Sequence, residues 1–180
     1  MVRYRENNND LKPAVPFALL YDATGLQAFT SAGAFHTWDT IKTKSSHFNY
    51  TADDDRIQLK VNSSGLFKIT FDCSFSTATA NQNCTTSQIY KNGTALSGSK
   101  SVVCVYWAGG QASVMCGMQT IHYVVFLAVN DYIQIKSTTG ASGNVLTYPD
   151  SSRLMIEFIP MRGYDNDKAG RKMFRGGIMR

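Results

Sequence analysis

The stretch from Arg56 to Phe75, RIQLKVNSSGLFKITFDCSF, restricts this chain to a β-sheet fold. Ile57, Leu59 and Val61 alternate with Arg56, Gln58 and Lys60; Phe67, Ile69, Phe71, Cys73 and Phe75 alternate with Lys68, Thr70, Asp72 and Ser74. A period of two sends successive side chains to opposite faces, which is the signature of a strand. Asn62-Ser63-Ser64-Gly65 separates the halves, and Gly65 has the freedom to take the positive φ of a tight reversal. The stretch therefore predicts an antiparallel hairpin with one apolar face. Such a face has to be covered by a second sheet, so the expected architecture is a sandwich.

The rest of the chain follows suit. Residues 1–12 are polar and read as an N-terminal arm, 13–160 as the sandwich domain, and 161–180 as a C-terminal tail. Strands are expected at Phe17–Tyr21, at Phe35–Ile41 with Trp38 as a core anchor, at Gln88–Tyr90, Ser101–Trp107, Ser113–Leu127, Tyr132–Lys136 and Ser152–Ile159. Lys91-Asn92-Gly93-Thr94 is a strong hairpin turn, because Asn-Gly tolerates two positive φ values. Lys42–Asp55 and the polar run Thr77–Thr86 are expected to be loops. The total is about ten strands, with no amphipathic helix and no repeat. Charged residues make up 17% of the 180 residues, and polar uncharged residues fill the turns, as suits a many-stranded β protein.

These motifs, in this order, resemble the jelly-roll family that includes tumour necrosis factor and the globular head of complement one-q. FHTWDTIKTKSSHFN at Phe35–Asn49 is similar to its aromatic-Asp strand and following loop, and Arg56–Phe75 to its central hairpin. QIYKNGTA at Gln88–Ala95 is similar to its strand and Asn-Gly turn, and Ser152–Ile159 to its closing strand. Leu127–Ile135 resembles its Leu-x-x-Gly-Asp-x-Val motif, with Asn130 where the family usually has Gly. The resemblance implies an all-β antiparallel jelly-roll sandwich and a homotrimer. Chains of this fold with YKNG-type turns and no leader also resemble structural proteins of phage and virus particles.

Apolar residues on both faces of Ile121–Leu127 imply a partner for that strand. Tyr123, Phe126 and Tyr132 are the expected trimer contacts. The net charge of +5 is uneven: residues 1–160 carry 12 basic and 11 acidic side chains, residues 161–180 carry 6 and 2. Arg171, Lys172, Met173, Phe174, Arg175 and Ile178 mix cations with apolar anchors, so the tail reads as a docking peptide for capsid or other virion proteins. Nucleic-acid contact through the same cations is the weaker option.

No chemistry is expected. His36, His47 and His122 lack the spacing of a metal site or a catalytic triad, and no Gly-x-Ser-x-Gly elbow is present. Asp53-Asp54-Asp55 reads as a solvated turn, with a calcium site as the lesser alternative and no EF-hand spacing. No cofactor is implied. MVRYRENNND carries no apolar run behind it, and Tyr123–Val129 falls far short of the ~20 residues of a membrane helix. The expected setting is a virion assembled in a reducing host cytoplasm. Cys73, Cys84, Cys104 and Cys116 are therefore read as free, mostly buried thiols, with a disulfide as the alternative. Asn49, Asn62, Asn83 and Asn92 head sequons that such a route leaves unused. Two other readings stay open: a soluble trimeric recognition module for a receptor or glycan, which paired cysteines would favour, and a small coat protein with a genome-binding tail.

Overall fold

The computed structural model describes residues 16–60, 64–77, 83–105, 116–140 and 145–160, and contains strands and no helix among them. The first sheet is built from β1 (Phe17–Asp22), β2 (Ala28–Phe29), β4 (Thr40–Lys44), β7 (Gly65–Thr77), β10 (Cys116–Leu127), β12 (Val145–Thr147) and β13 (Ser152–Phe158). The second comprises β3 (Ala34–Phe35), β5 (Phe48–Asn49), β6 (Ile57–Leu59), β8 (Asn83–Lys91), β9 (Thr94–Val105) and β11 (Tyr132–Thr139). In the first sheet β4, β1, β13 and β7 lie side by side, and β10 pairs with β7 from Gly65 to Ser76. In the second the order is β5-β6-β11-β8-β9. Every pairing is antiparallel, and the chain crosses repeatedly from one sheet to the other so that its first and last long strands are neighbours. That winding is a jelly-roll sandwich.

The expected hairpin does not form. β6 belongs to the second sheet and β7 to the first, so the two strands lie on opposite sides of the core. Alternation does fix the faces: Ile57 and Leu59 look across the core at Phe67, Ile69, Phe71, Cys73 and Phe75, all buried. It does not fix the partner, because an arch between two sheets buries the same residues as a hairpin within one. Gly65 serves close approach and not φ: a Cβ there would lie 2.5 Å from Phe158 Cε2. Asn92 (φ 53°), Gly93 (φ 76°) and Asn130 (φ 70°) do take the left-handed conformations expected of their turns.

Aromatic rings dominate the interior. Trp38, Phe29, Phe48, Phe67, Phe71 and Phe75 are each 1% exposed or less. Burying side chains of this class stabilises by about 2–3 kcal/mol apiece, which makes them the main cohesive element between the sheets. One end of the interior is polar instead. Asn83, Thr85 and Ser87 of β8 point inward with Ser137 and Thr139 of β11 and Gln119 of β10, all buried. The loop expected over Thr77–Thr86 is thus strand from Asn83 onward, paired with β9 and β11. Likewise the expected strand Phe35–Ile41 is divided between β3 and β4, and Phe48–Asn49 inside the expected loop is strand.

Candidate interaction surface

The face of the first sheet that looks away from the core is the candidate surface, and strand register dictates its composition. Phe17, Glu157, Lys68 and Val124 stand side by side across β1, β13, β7 and β10. The next row is Leu19, Met155, Thr70 and His122, and the next Tyr21, Arg153, Asp72 and Thr120. Leu66 and Phe126 form a further pair towards the end of β10. Two ion pairs cross this face, Lys68 Nζ to Glu157 Oε2 at 3.8 Å and Arg153 Nη2 to Asp72 Oδ2 at 3.5 Å. Exposed pairs of this kind contribute little stability. Thr120 Oγ1 donates to Asp72 Oδ1 at 2.8 Å, and Thr70 Oγ1 lies 3.2 Å from His122 Nδ1.

Along β10 the apolar side chains on this face are poorly covered. Val124 and Phe126 are each 53% exposed and Met118 68%. Among the described residues β10 pairs only with β7, which makes it a sheet edge. An edge strand carrying large exposed apolar groups is a surface that proteins ordinarily cover.

The three aromatics expected at the trimer contact do not converge. Phe126 lies on this outward face. Tyr123 points the other way, packs against the core and donates its hydroxyl to the Ser97 carbonyl of β9 at 2.8 Å, stitching the two sheets together at the sandwich edge. Tyr132 sits on the outward face of the second sheet, opposite Gln58 in register, with the Arg56 guanidinium 5.4 Å from its ring centre. The tail residues Arg171, Lys172, Met173, Phe174, Arg175 and Ile178 and the arm 1–12 lie outside the described residues.

The cysteines correct the sequence reading. Cys84 and Cys104, directly opposed on β8 and β9, form a disulfide. Cys73 is a free, buried thiol whose pKa is pushed up to about 12, chiefly by burial. Wide spacing in sequence excluded a zinc knuckle but not this pairing, because a hairpin brings residues 20 apart face to face.

The histidines are dispersed. His47 Nδ1 lies 3.2 Å from Ser45 Oγ, and His122 is exposed on the first sheet. His36 is fully buried, 4.5 Å from Phe29 and 5.7 Å from Trp38 between ring centres. Its Nε2 lies 2.7 Å from Ser137 Oγ, which lies 2.5 Å from Ser87 Oγ, whose hydroxyl donates to Gln119 Oε1 at 2.7 Å. This chain links the two sheets through the core. Burial drives the His36 pKa down to about 3, so the ring is neutral. Asp54 Oδ1 accepts the N–H groups of Asp55 and Arg56, the geometry of a turn. Among the described residues no group of three or more His, Cys, Asp or Glu side chains could hold a metal ion, and no helix is long and apolar enough to cross a membrane.

No family model matches the sequence. No curated protein matches it either. Among solved structures, the crystal structure of murine APRIL at pH 5.0 overlays with a TM-score of 0.49 at 9% identity, covering 81% of this chain and 99% of that one. The jelly-roll assignment follows from the strand order and register themselves.

Proposed function

We propose that this chain is a non-enzymatic structural protein of a virus or phage particle, a homotrimer attached through its terminal segments as a capsid decoration, head fibre or knob. The observation that carries the self-association is the uncovered apolar edge of the first sheet, Val124 and Phe126 at 53% exposure on a strand with one partner among the described residues. Covering these side chains contributes on the order of 1–2 kcal/mol each, repeated at every interface of a closed ring. Threefold closure is what the family resemblance implies. The particle role draws on the YKNG-type turn of an Asn-rich and Thr-rich jelly roll and on the cationic, apolar tail. Three tails on one trimer would raise the effective concentration of the second and third contacts. Mass spectrometry of purified particles from the source tests this role. Peptides of the chain at structural stoichiometry support it, and their absence contradicts it.

The Cys84–Cys104 disulfide favours a second reading, a trimeric recognition module working in an oxidising setting. That reading keeps the same self-association face and replaces the particle by a receptor or glycan. Recovery of the chain free in extracellular medium, with the disulfide intact and no particle, would select it.

A further inference from the structure

We propose that a groove on the outward face of the second sheet binds a neutral saccharide. Three neighbouring strands supply its floor. Asn49 of β5, Gln58 of β6 and Tyr132 of β11 are opposed in register, so two amides and an aromatic ring form a transverse row. The wall is the segment 50–56, and the groove, open to solvent, has a volume of about 290 Å³. This lies at the small end of the roughly 300–1,000 Å³ typical of ligand sites.

The wall is anchored before any ligand arrives. The Tyr50 hydroxyl donates to the carbonyl of Trp38, a residue 1% exposed, and lies 3.2 Å from the Asp54 carbonyl. The Asp53 N–H donates to the same Trp38 carbonyl at 2.9 Å, and Gln134 Nε2 donates to Asp55 Oδ2 at 2.8 Å. A site held in this way loses little freedom on binding, which leaves more of the contact energy as affinity.

The chemistry of the lining selects the ligand. Arg56 and Asp54 are its two charged side chains, of opposite sign, and the Arg56 Nε already pairs with Asp55 Oδ1 at 3.3 Å. A phosphate or carboxylate therefore meets no excess of positive charge. Amides offer both donors and acceptors, as sugar hydroxyls require; Thr51 and Tyr132 add hydroxyls, and the two tyrosines add ring surface. The groove and the apolar edge of β10 belong to opposite sheets, so self-association through the first sheet leaves the groove open. The proposal stands whether the chain serves on a particle or as a free module.

The test is a titration of the isotopically labelled full chain, followed by nuclear magnetic resonance. The neutral probes are the methyl glycosides of glucose, galactose, N-acetylglucosamine and N-acetylgalactosamine; the anionic probes are glucuronic acid, sialic acid and inorganic phosphate. Saturable shifts at Asn49, Gln58 and Tyr132 with at least one neutral glycoside are expected, with millimolar or tighter affinity. Asn49→Ala and Gln58→Ala, each checked for an unchanged melting temperature, should weaken that binding about tenfold or more. Asn49 is exposed, so at least that variant should keep the fold. No saturable shift with any neutral glycoside, shifts elsewhere on the surface, a stronger response to the anions, or full affinity in Asn49→Ala would each overturn the proposal.

Discussion

Lys91 Nζ and Asp131 Oδ2 stand 2.7 Å apart where the turn after β8 meets the turn after β10. The same ammonium donates to the Phe126 carbonyl at 2.9 Å, and the same carboxylate accepts the Ala128 N–H at 2.7 Å and the Asn92 Nδ2 at 2.6 Å. One ion pair thus ties the end of β10, which carries Phe126, to the second sheet. Burial alone would raise the Asp131 pKa, but the hydrogen bonds from Lys91, Asn92 and the Ala128 N–H outweigh it and hold it below the usual carboxylate value.

Asp131→Ala removes the acceptor for three donors at once. It is expected to lower the unfolding free energy by about 2–3 kcal/mol, since bonds to charged groups contribute roughly 1.5–3 kcal/mol. Urea denaturation measures this directly. A loss under about 0.5 kcal/mol, the range of neutral surface changes, would show that the pair is ornamental.

Acid should loosen the fold well before the carboxylates titrate. The folded His36 pKa of about 3 lies below the ordinary histidine value of 6.5, so the unfolded chain binds the extra proton. The stability contributed by neutral His36 is complete above about pH 6.5 and is lost as pH falls from there towards about 3, by at most ~1.4 kcal/mol per pH unit. His47, lowered by partial burial, acts in the same sense. Denaturation midpoints between pH 7 and pH 4.5 should fall steeply in the wild-type chain and in His47→Gln, and much less in His36→Gln. Parallel slopes in all three would refute the assignment.

Reduction should destabilise without unfolding the sandwich outright. Cys84 and Cys104 close a loop over a separation of 20 residues. The chain-entropy account puts such a link at about 3 kcal/mol. Cys84→Ser/Cys104→Ser should lose about this much in denaturant, and reductant should have no further effect on it. Equal stability of the variant and the oxidised wild type would contradict the pairing.

What could be read from residues alone was the set of inward faces wherever they are apolar. Phe67 to Phe75 alternate in sequence and are buried in that pattern, and Trp38 is a core anchor as expected. Hydropathy was silent where both faces are polar. Asn83, Thr85 and Ser87 point inward because Ser137, Thr139 and Gln119 share that end of the interior, so polar met polar and no apolar alternation marked the strand. The β-branched residues Thr85, Thr86, Thr138 and Thr139, which favour strands, were the available signal. Strand partners were equally hidden: nothing in Arg56–Phe75 separates a hairpin from an arch, since both bury the same side chains. For the candidate surface, the two apolar faces of Ile121–Leu127 are legible in the sequence, and Phe126 stands on the outer face of β10 at 53% exposure. Tyr123 and Phe126 are an odd separation apart within one strand and so stand on opposite faces of it. The saccharide groove left no sequence signal, because its floor joins residues from β5, β6 and β11 that only the register brings together.

Sedimentation of the full chain tests self-association through the outward face of the first sheet most directly. Phe126→Lys places a cation on a half-exposed position, so it should cost the isolated subunit no more than about 0.5 kcal/mol, while three such cations would face one another in a closed ring. At micromolar concentration the wild-type chain should sediment as a trimer and Phe126→Lys as a folded monomer with its Cys84–Cys104 bridge intact. A wild-type monomer, or a Phe126→Lys variant that sediments as the wild type does, would contradict the account.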